Sequence, residues 1–151
     1  MEVKTDLHYI EFIEKNPEFT GCVIDCDGTK LWYLNGKEHR TDGHPAIEFA
    51  DGSKFWYLNG KYHREEGPAV EFPDGTKEWF LNGKCHREEG PACEYADGDK
   101  SWYLNGKLHR TDGPAIEWVN GTKAWWLNGE FATEEQVMRL HKLEGFINGN
   151  S

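Results

Sequence analysis

Four His-Arg dipeptides recur along the chain: His39-Arg40, His63-Arg64, His86-Arg87 and His109-Arg110. If their repeats stack, four imidazoles and four guanidiniums fall into parallel rows. Such rows could recognise carboxylates, phosphates or a planar ligand, because guanidinium presents several donors in a fixed plane. A structural role stands beside this one, and both hold if one side chain is structural and the other faces outward. Each dipeptide comes with a recurrent Glu (Glu48, Glu71, Glu94, Glu117) and a recurrent Lys (Lys30, Lys54, Lys77, Lys100). Cross-strand pairs of these opposite charges contribute about 0.2–1 kcal/mol each.

Other chemistry finds less support. Gly-x-Ser-x-Gly, a phosphate loop, a dinucleotide fingerprint and His-Glu-x-x-His are all missing from the sequence. A catalytic centre is one unique constellation, whereas the reactive residues here recur copy after copy. The expectation is therefore a protein that is not an enzyme and needs no cofactor. Cys22 and Cys26 are four apart but have no matching second Cys/His pair. Cys85 and Cys93 occupy variable repeat positions and read as space-fillers. Asp25-Cys26-Asp27-Gly28 hints at a calcium loop, but its Gly comes too early. No metal site is expected.

The elements that must position the His-Arg rows follow from the repeat. Trp32, Trp56, Trp79, Trp102 and Trp125 are spaced 24, 23, 23 and 23 residues apart, and the one longer interval comes from His44. A full copy runs from Asp51 to Pro73. Asp-Gly or Asn-Gly opens each copy, and an aromatic run such as 54–58 reads as a strand. Asn-Gly (Asn35, Asn59, Asn82, Asn105, Asn128) then reverses the chain through a type I′ turn. A second strand carries Lys-x-His-Arg, and an acidic-Gly-Pro break precedes a short Pro-Ala-x-Glu run. The residue after each Trp is always aromatic: Tyr33, Tyr57, Phe80, Tyr103, Trp126. These form a second row available for binding. The residue before it (Leu31, Phe55, Glu78, Ser101, Ala124) varies so widely that partial solvent exposure is expected. One copy cannot bury its faces alone, so stability must come from stacked neighbours.

The predicted fold is an all-β repeat array, with five stacked hairpin units forming an elongated twisted antiparallel sheet and a short helix at each end. Residues 1–20 read as an N-terminal helical cap, with a helix over 6–15 stopped before Pro17. Residues 21–131 are the repeats, 132–146 a C-terminal capping helix and 147–151 a disordered tail. Thr133-Glu-Glu-Gln136 is a capping box, and Val137, Met138, Leu140 and Leu143 supply an apolar face. The two helices are expected to shield the sheet edges.

With 151 residues, 37% hydrophobic and 14% aromatic, the chain suits one domain built as a thin sheet. The net charge of −10 argues against direct nucleic-acid binding. Neither a membrane span nor a signal peptide is visible, and a cytoplasmic location is expected.

The unit resembles the MORN repeat, on the aromatic strand, on Asn-Gly-Lys-x-His as in Asn59 to His63, and on the Asp-Gly that follows. The likeness covers 27–131. It departs after the His, where MORN repeats carry Gly-x-Gly and this chain has Arg-x-acidic-Gly-Pro-Ala. Similar Trp-Tyr-x-Asn-Gly-Lys-x-His-Arg arrays look like those of phage, large viruses and bacteria. The resemblance implies contact with another protein, and homodimerisation is within its range. It points to an adaptor or inhibitor, in a phage setting a host-directed or anti-defence factor. Two alternatives stand beside it: capture of a nucleotide or sugar on the aromatic and Arg rows, and acidic mimicry of nucleic acid. A weaker likeness to choline-binding cell-wall hairpins would place a cation between aromatics.

Overall fold

The computed structural model describes residues 1–148. It is an all-β repeat array with one helix toward each end of the chain, in two compact units, Met1–Lys84 and a second beginning at Cys85.

In the first unit, β1 (Glu2–Lys4) runs parallel to β2 (Gly21–Ile24), which pairs antiparallel with β3 (Lys30–Leu34). The sheet continues antiparallel through β5 (Ile47–Glu48), which follows β4 (Lys37–Glu38), and then through Lys54–Phe55, Val70–Glu71 and Lys77–Glu78. The register lines up two rows on opposite faces. One reads Lys30, Glu48, Lys54, Glu71, Lys77, so every neighbour has the opposite sign. The other reads Leu31, Ile47, Phe55, Val70, Glu78 and carries the core: Leu31, Ile47 and Val70 are buried and Phe55 half-buried. The position before Trp is buried at Leu31 and Ser101 and half-buried at Phe55, Glu78 and Ala124, so the expected partial exposure holds in three of the five copies. Glu78 is the misfit there, and desolvation pushes its carboxyl above the usual carboxylate range.

Each strand changes partner at its Trp. Trp56 N–H donates to the Ala69 carbonyl (2.8 Å), while the Trp56 carbonyl accepts from His63 N–H (3.0 Å). Before the Trp the backbone belongs to the main sheet; after it, Tyr57–Leu58 pairs with Lys61–Tyr62 as a separate hairpin. The single strand expected over 54–58 is therefore two. Ala46 and Ala69 are fully buried where the Pro-Ala run meets the Trp backbone, which explains why no larger residue recurs there. All five turn Asn residues lie at φ between 50 and 53°, and each following Gly is also positive, as the type I′ turn requires.

The N-terminal segment differs from expectation. It contributes β1, and α1 spans only Tyr9–Lys15, starting three residues late. Thr5 and His8 explain the delay: Thr5 Oγ1 accepts from Leu7 N–H (3.1 Å), and His8 is the N-cap. Helix α1 drives Phe12 into a cluster with Val23, Leu31, Tyr33 and Ile47, and Phe19 meets Phe12 edge to face at 5.2 Å. Burial raises the Tyr33 phenol far above its ordinary range.

In the second unit, Cys93–Glu94, Lys100–Ser101, Ile116–Glu117, Lys123–Leu127 and Glu130–Ala132 pair antiparallel in that order. The charge row continues as Glu94, Lys100, Glu117, Lys123. Helix α2 (Glu134–Asn148) starts from the reciprocal capping box: Gln136 N–H donates to Thr133 Oγ1 (3.2 Å) and Thr133 N–H to Gln136 Oε1 (2.8 Å). Thr133→Ala is expected to cost about 1 kcal/mol, read as a lower melting temperature, with Thr133→Ser close to the parent. Val137 is fully buried and Met138 and Leu140 are half-buried, but Leu143 is exposed. The apolar face thus ends sooner than expected. Phe131, on the last strand, is also exposed. Residues 147 and 148 continue the helix, against the expected tail; the rest of that tail, 149–151, lies outside the described residues.

Candidate functional site

The His-Arg rows form as the repeat demands. His39, Arg40, His63 and Arg64 line up in the first unit, and His86, Arg87, His109 and Arg110 in the second. Each side chain is engaged within the chain. Arg Nη1 donates to the carbonyl of the Pro that closes its own loop: Pro45 (3.0 Å), Pro68 (3.0 Å), Pro91 (2.9 Å) and Pro114 (3.2 Å). The same nitrogen reaches the recurrent Glu: Glu71 at 3.1 Å, Glu94 at 2.9 Å, Glu117 at 3.0 Å and Glu48 at 3.6 Å. The guanidiniums of Arg40, Arg64 and Arg110 also lie over Trp32, Trp56 and Trp102, 3.9–4.0 Å from the ring centroids. Trp, Arg, Pro and Glu of one copy are a single network.

The imidazoles tie one copy to the next. His39, His63, His86 and His109 each accept through Nδ1 from the turn N–H of Asn59, Asn82, Asn105 and Asn128, at 3.0–3.2 Å. With Nδ1 as acceptor the ring hydrogen sits on Nε2. In the two Glu-Glu copies Nε2 lies 3.8 Å from Glu65 and 3.9 Å from Glu88. In the Thr-Asp copies Arg Nε instead pairs with Asp42 (2.8 Å) and Asp112 (2.7 Å). The hydrogen bond from Arg110 holds the Asp112 carboxyl below its usual range.

The sequence reading missed Thr20. It stands where a preceding copy would place a His, and its Oγ1 accepts from Asn35 N–H (2.9 Å). Gly36 N–H likewise donates to Phe19 O (2.9 Å), as Gly60 N–H does to Glu38 O (2.8 Å). The signal available was a hydroxyl residue 15 positions before an Asn-Gly that has no His upstream.

The aromatic row is only partly presented. Tyr33 is buried, and Tyr57, Phe80, Tyr103 and Trp126 are half-buried. Tyr57, Tyr62 and Phe80 follow one another at centroid distances of 4.4 and 5.1 Å, and Phe131 meets Trp126 at 5.8 Å. Cys85 and Cys93, read as fillers, bring their sulfurs to 3.4 Å.

Two grooves open between successive acidic loops, one in each unit. In the first unit Trp56 and Leu58 line a groove of about 440 Å³ together with Arg40, His63 and Arg64 of the His-Arg rows, Thr41 and Gly43, and the carboxylates of Glu65 and Glu66. In the second, Trp102 and Leu104 line one of about 680 Å³ with Arg87, His109, Arg110 and His141 beside Glu88, Glu89, Asp112 and Glu144. Arg and His side chains of the rows thus line both grooves and are held by partners within the chain, while Glu65 and Glu88 stand exposed at the rims, where they suit a cationic group of a ligand. Among the described residues no helix is long and apolar enough to cross a membrane. No protein-family model matches the chain, and no curated protein matches it either.

Proposed function

We propose that this chain is a non-enzymatic protein-interaction repeat protein, an adaptor or an inhibitor, that docks a partner bearing Lys or Arg side chains against the grooves between its copies. The observation that carries this reading is the division of charge. The arginines are neutralised inside each copy by Glu71, Glu94 and Glu117, whereas Glu65 and Glu88 stand 83% exposed at the groove rims. With a net charge of −10, the surface on offer is anionic. All-β repeat arrays are typical interaction scaffolds, because they present the same side chains at regular intervals.

Two variants that remove four negative charges each provide the test. One changes Glu65, Glu66, Glu88 and Glu89 to Gln; the other changes Glu11, Glu14, Glu18 and Glu134. Fluorescence anisotropy with an extended Lys/Arg-rich peptide should show binding weakened at least about tenfold in the first variant and nearly unchanged in the second, since long-range attraction alone depends on net charge. Equal loss in both would leave only nonspecific charge attraction and sink the proposal.

A further inference from the structure

The turn joining β2 to β3 departs from every other turn at its place in the repeat. Where later copies carry Phe49, Phe72, Tyr95 and Trp118, this one carries Asp25. The backbone is the same: Asp25 N–H donates to Thr29 O (3.0 Å) and Gly28 N–H to Asp25 O (3.1 Å), as Phe49 N–H does to Ser53 O (2.9 Å) and Gly52 N–H to Phe49 O (3.0 Å). The side chains have been reassigned. In the later turns Asp51, Asp74, Asp97 and Asn120 accept from the N–H two residues on, at 2.8–3.0 Å. Here Asp25 Oδ1 takes that bond from Thr29 N–H (3.0 Å), along with one from Asp27 N–H (3.0 Å). Asp27 is thereby released from the task its counterparts perform.

Asp25 is only 6% exposed, and its second oxygen, Oδ2, is buried with no hydrogen-bond partner. A desolvated acceptor without a donor is costly. Beside it stands His8, brought there by the bond from Thr5 N–H to Ile24 O (3.0 Å) at the end of β1. Nδ1 of His8 accepts from Ile10 N–H (3.5 Å), which leaves Nε2 for a ligand. One nitrogen of His8 and one carboxylate oxygen from each of Asp25 and Asp27 lie within 4.8 Å of one another.

We propose that His8, Asp25 and Asp27 form a divalent-cation site for a first-row transition ion of the zinc type. A cation supplies what Asp25 Oδ2 lacks. The imidazole favours such an ion over magnesium or calcium, and three protein ligands leave a fourth tetrahedral position to water. Zinc holds nitrogen and oxygen ligands at about 2.0–2.2 Å, so the ion draws the atoms closer through rotation of His8 and Asp27, both exposed. The bound ion clips the segment preceding α1 to the first turn of the array.

Calorimetric titration of zinc chloride into the full chain tests this. The parent carries Cys93→Val, the residue found at the equivalent Val70, to remove the thiol pair as a rival site. One zinc per chain is expected. His8→Gln, Asp27→Asn and Asp25→Asn (which keeps Oδ1 as acceptor for the turn) should each weaken binding more than about 100-fold, beyond the roughly 10–100-fold typical of changes outside the ligand set. His44→Gln, an exposed imidazole elsewhere, should leave it intact. Circular dichroism checks that each variant is folded, and the two exposed positions serve if Asp25→Asn is not. Absence of zinc binding by the parent, equal binding by all variants, or calcium bound as tightly as zinc would each overturn the proposal.

Discussion

Gly36→Ala is expected to destabilise the protein by more than about 3 kcal/mol, while Gly60→Ala costs about 1 kcal/mol. The two glycines hold the same turn position at nearly the same φ, 72° and 74°, so the strain of a left-handed alanine is common to both. What differs is the space. A Cβ on Gly60 meets the Lys37 side chain at 3.6 Å, an ordinary contact, whereas one on Gly36 runs into the backbone carbonyl of Pro17. That carbonyl belongs to the segment that carries Phe19 and Thr20 to the first turn and cannot swing aside as a Lys stem can. Denaturant titration of the two variants checks the contrast. Equal midpoints would mean that the 17–20 segment is not held against the first turn.

The second large effect is expected at Arg64. Its side chain is about a quarter exposed and gathers the Pro68 carbonyl, Glu71 and the face of Trp56. Arg64→Ala should cost about 2–4 kcal/mol, since charge-assisted hydrogen bonds contribute about 1.5–3 kcal/mol and the cation–π contact about 0.5–1 more. Arg64→Lys should recover less than half of the loss, because an ammonium cannot lie flat on the indole while reaching two acceptors. The sequence alone left outward and structural guanidiniums both open, and only outward ones would leave the melting temperature almost unchanged. Their inward stacking leads to the opposite expectation. A melting temperature unmoved by Arg64→Ala would show that the network contributes nothing to stability.

The periodic part of the fold was legible because the turn chemistry is local. Asn-Gly at fixed spacing leaves the backbone little choice, and all five turns adopt positive φ at both residues. The capping box at Thr133 was readable for the same reason. The departures lie where partners are remote in sequence. Trp56 looks like the middle of one strand, yet its N–H and its carbonyl serve residues 13 and 7 positions away, Ala69 and His63, on different neighbours. Leu31 and Glu78 occupy one variable position, and only the register shows that position to lie in the buried row. The His-Arg residues were found as a set, but a list of types does not say which way a guanidinium faces. That is decided by the Trp on the adjoining strand and the Pro carbonyl at the loop's end. His8 drew no attention because it lies outside the repeat, and its proximity to Asp25 arises from the parallel pairing of β1 with β2.

The His-Arg dipeptide of each copy bonds to the copy that follows it. His63 accepts from the turn of the copy that follows it, and Arg64 N–H donates to Phe80 O of that same copy (3.1 Å). Ahead of the first copy Thr20 Oγ1 takes the place of the imidazole and Phe19 O that of Glu38 O, and the fifth copy replaces Lys-x-His-Arg with Glu130-Phe131-Ala132-Thr133. This gives the array a head and a tail that match the direction of translation. A chain leaving the ribosome N-terminus first presents each new hairpin with an acceptor already in place, so the protein can be assembled in the order in which it is made.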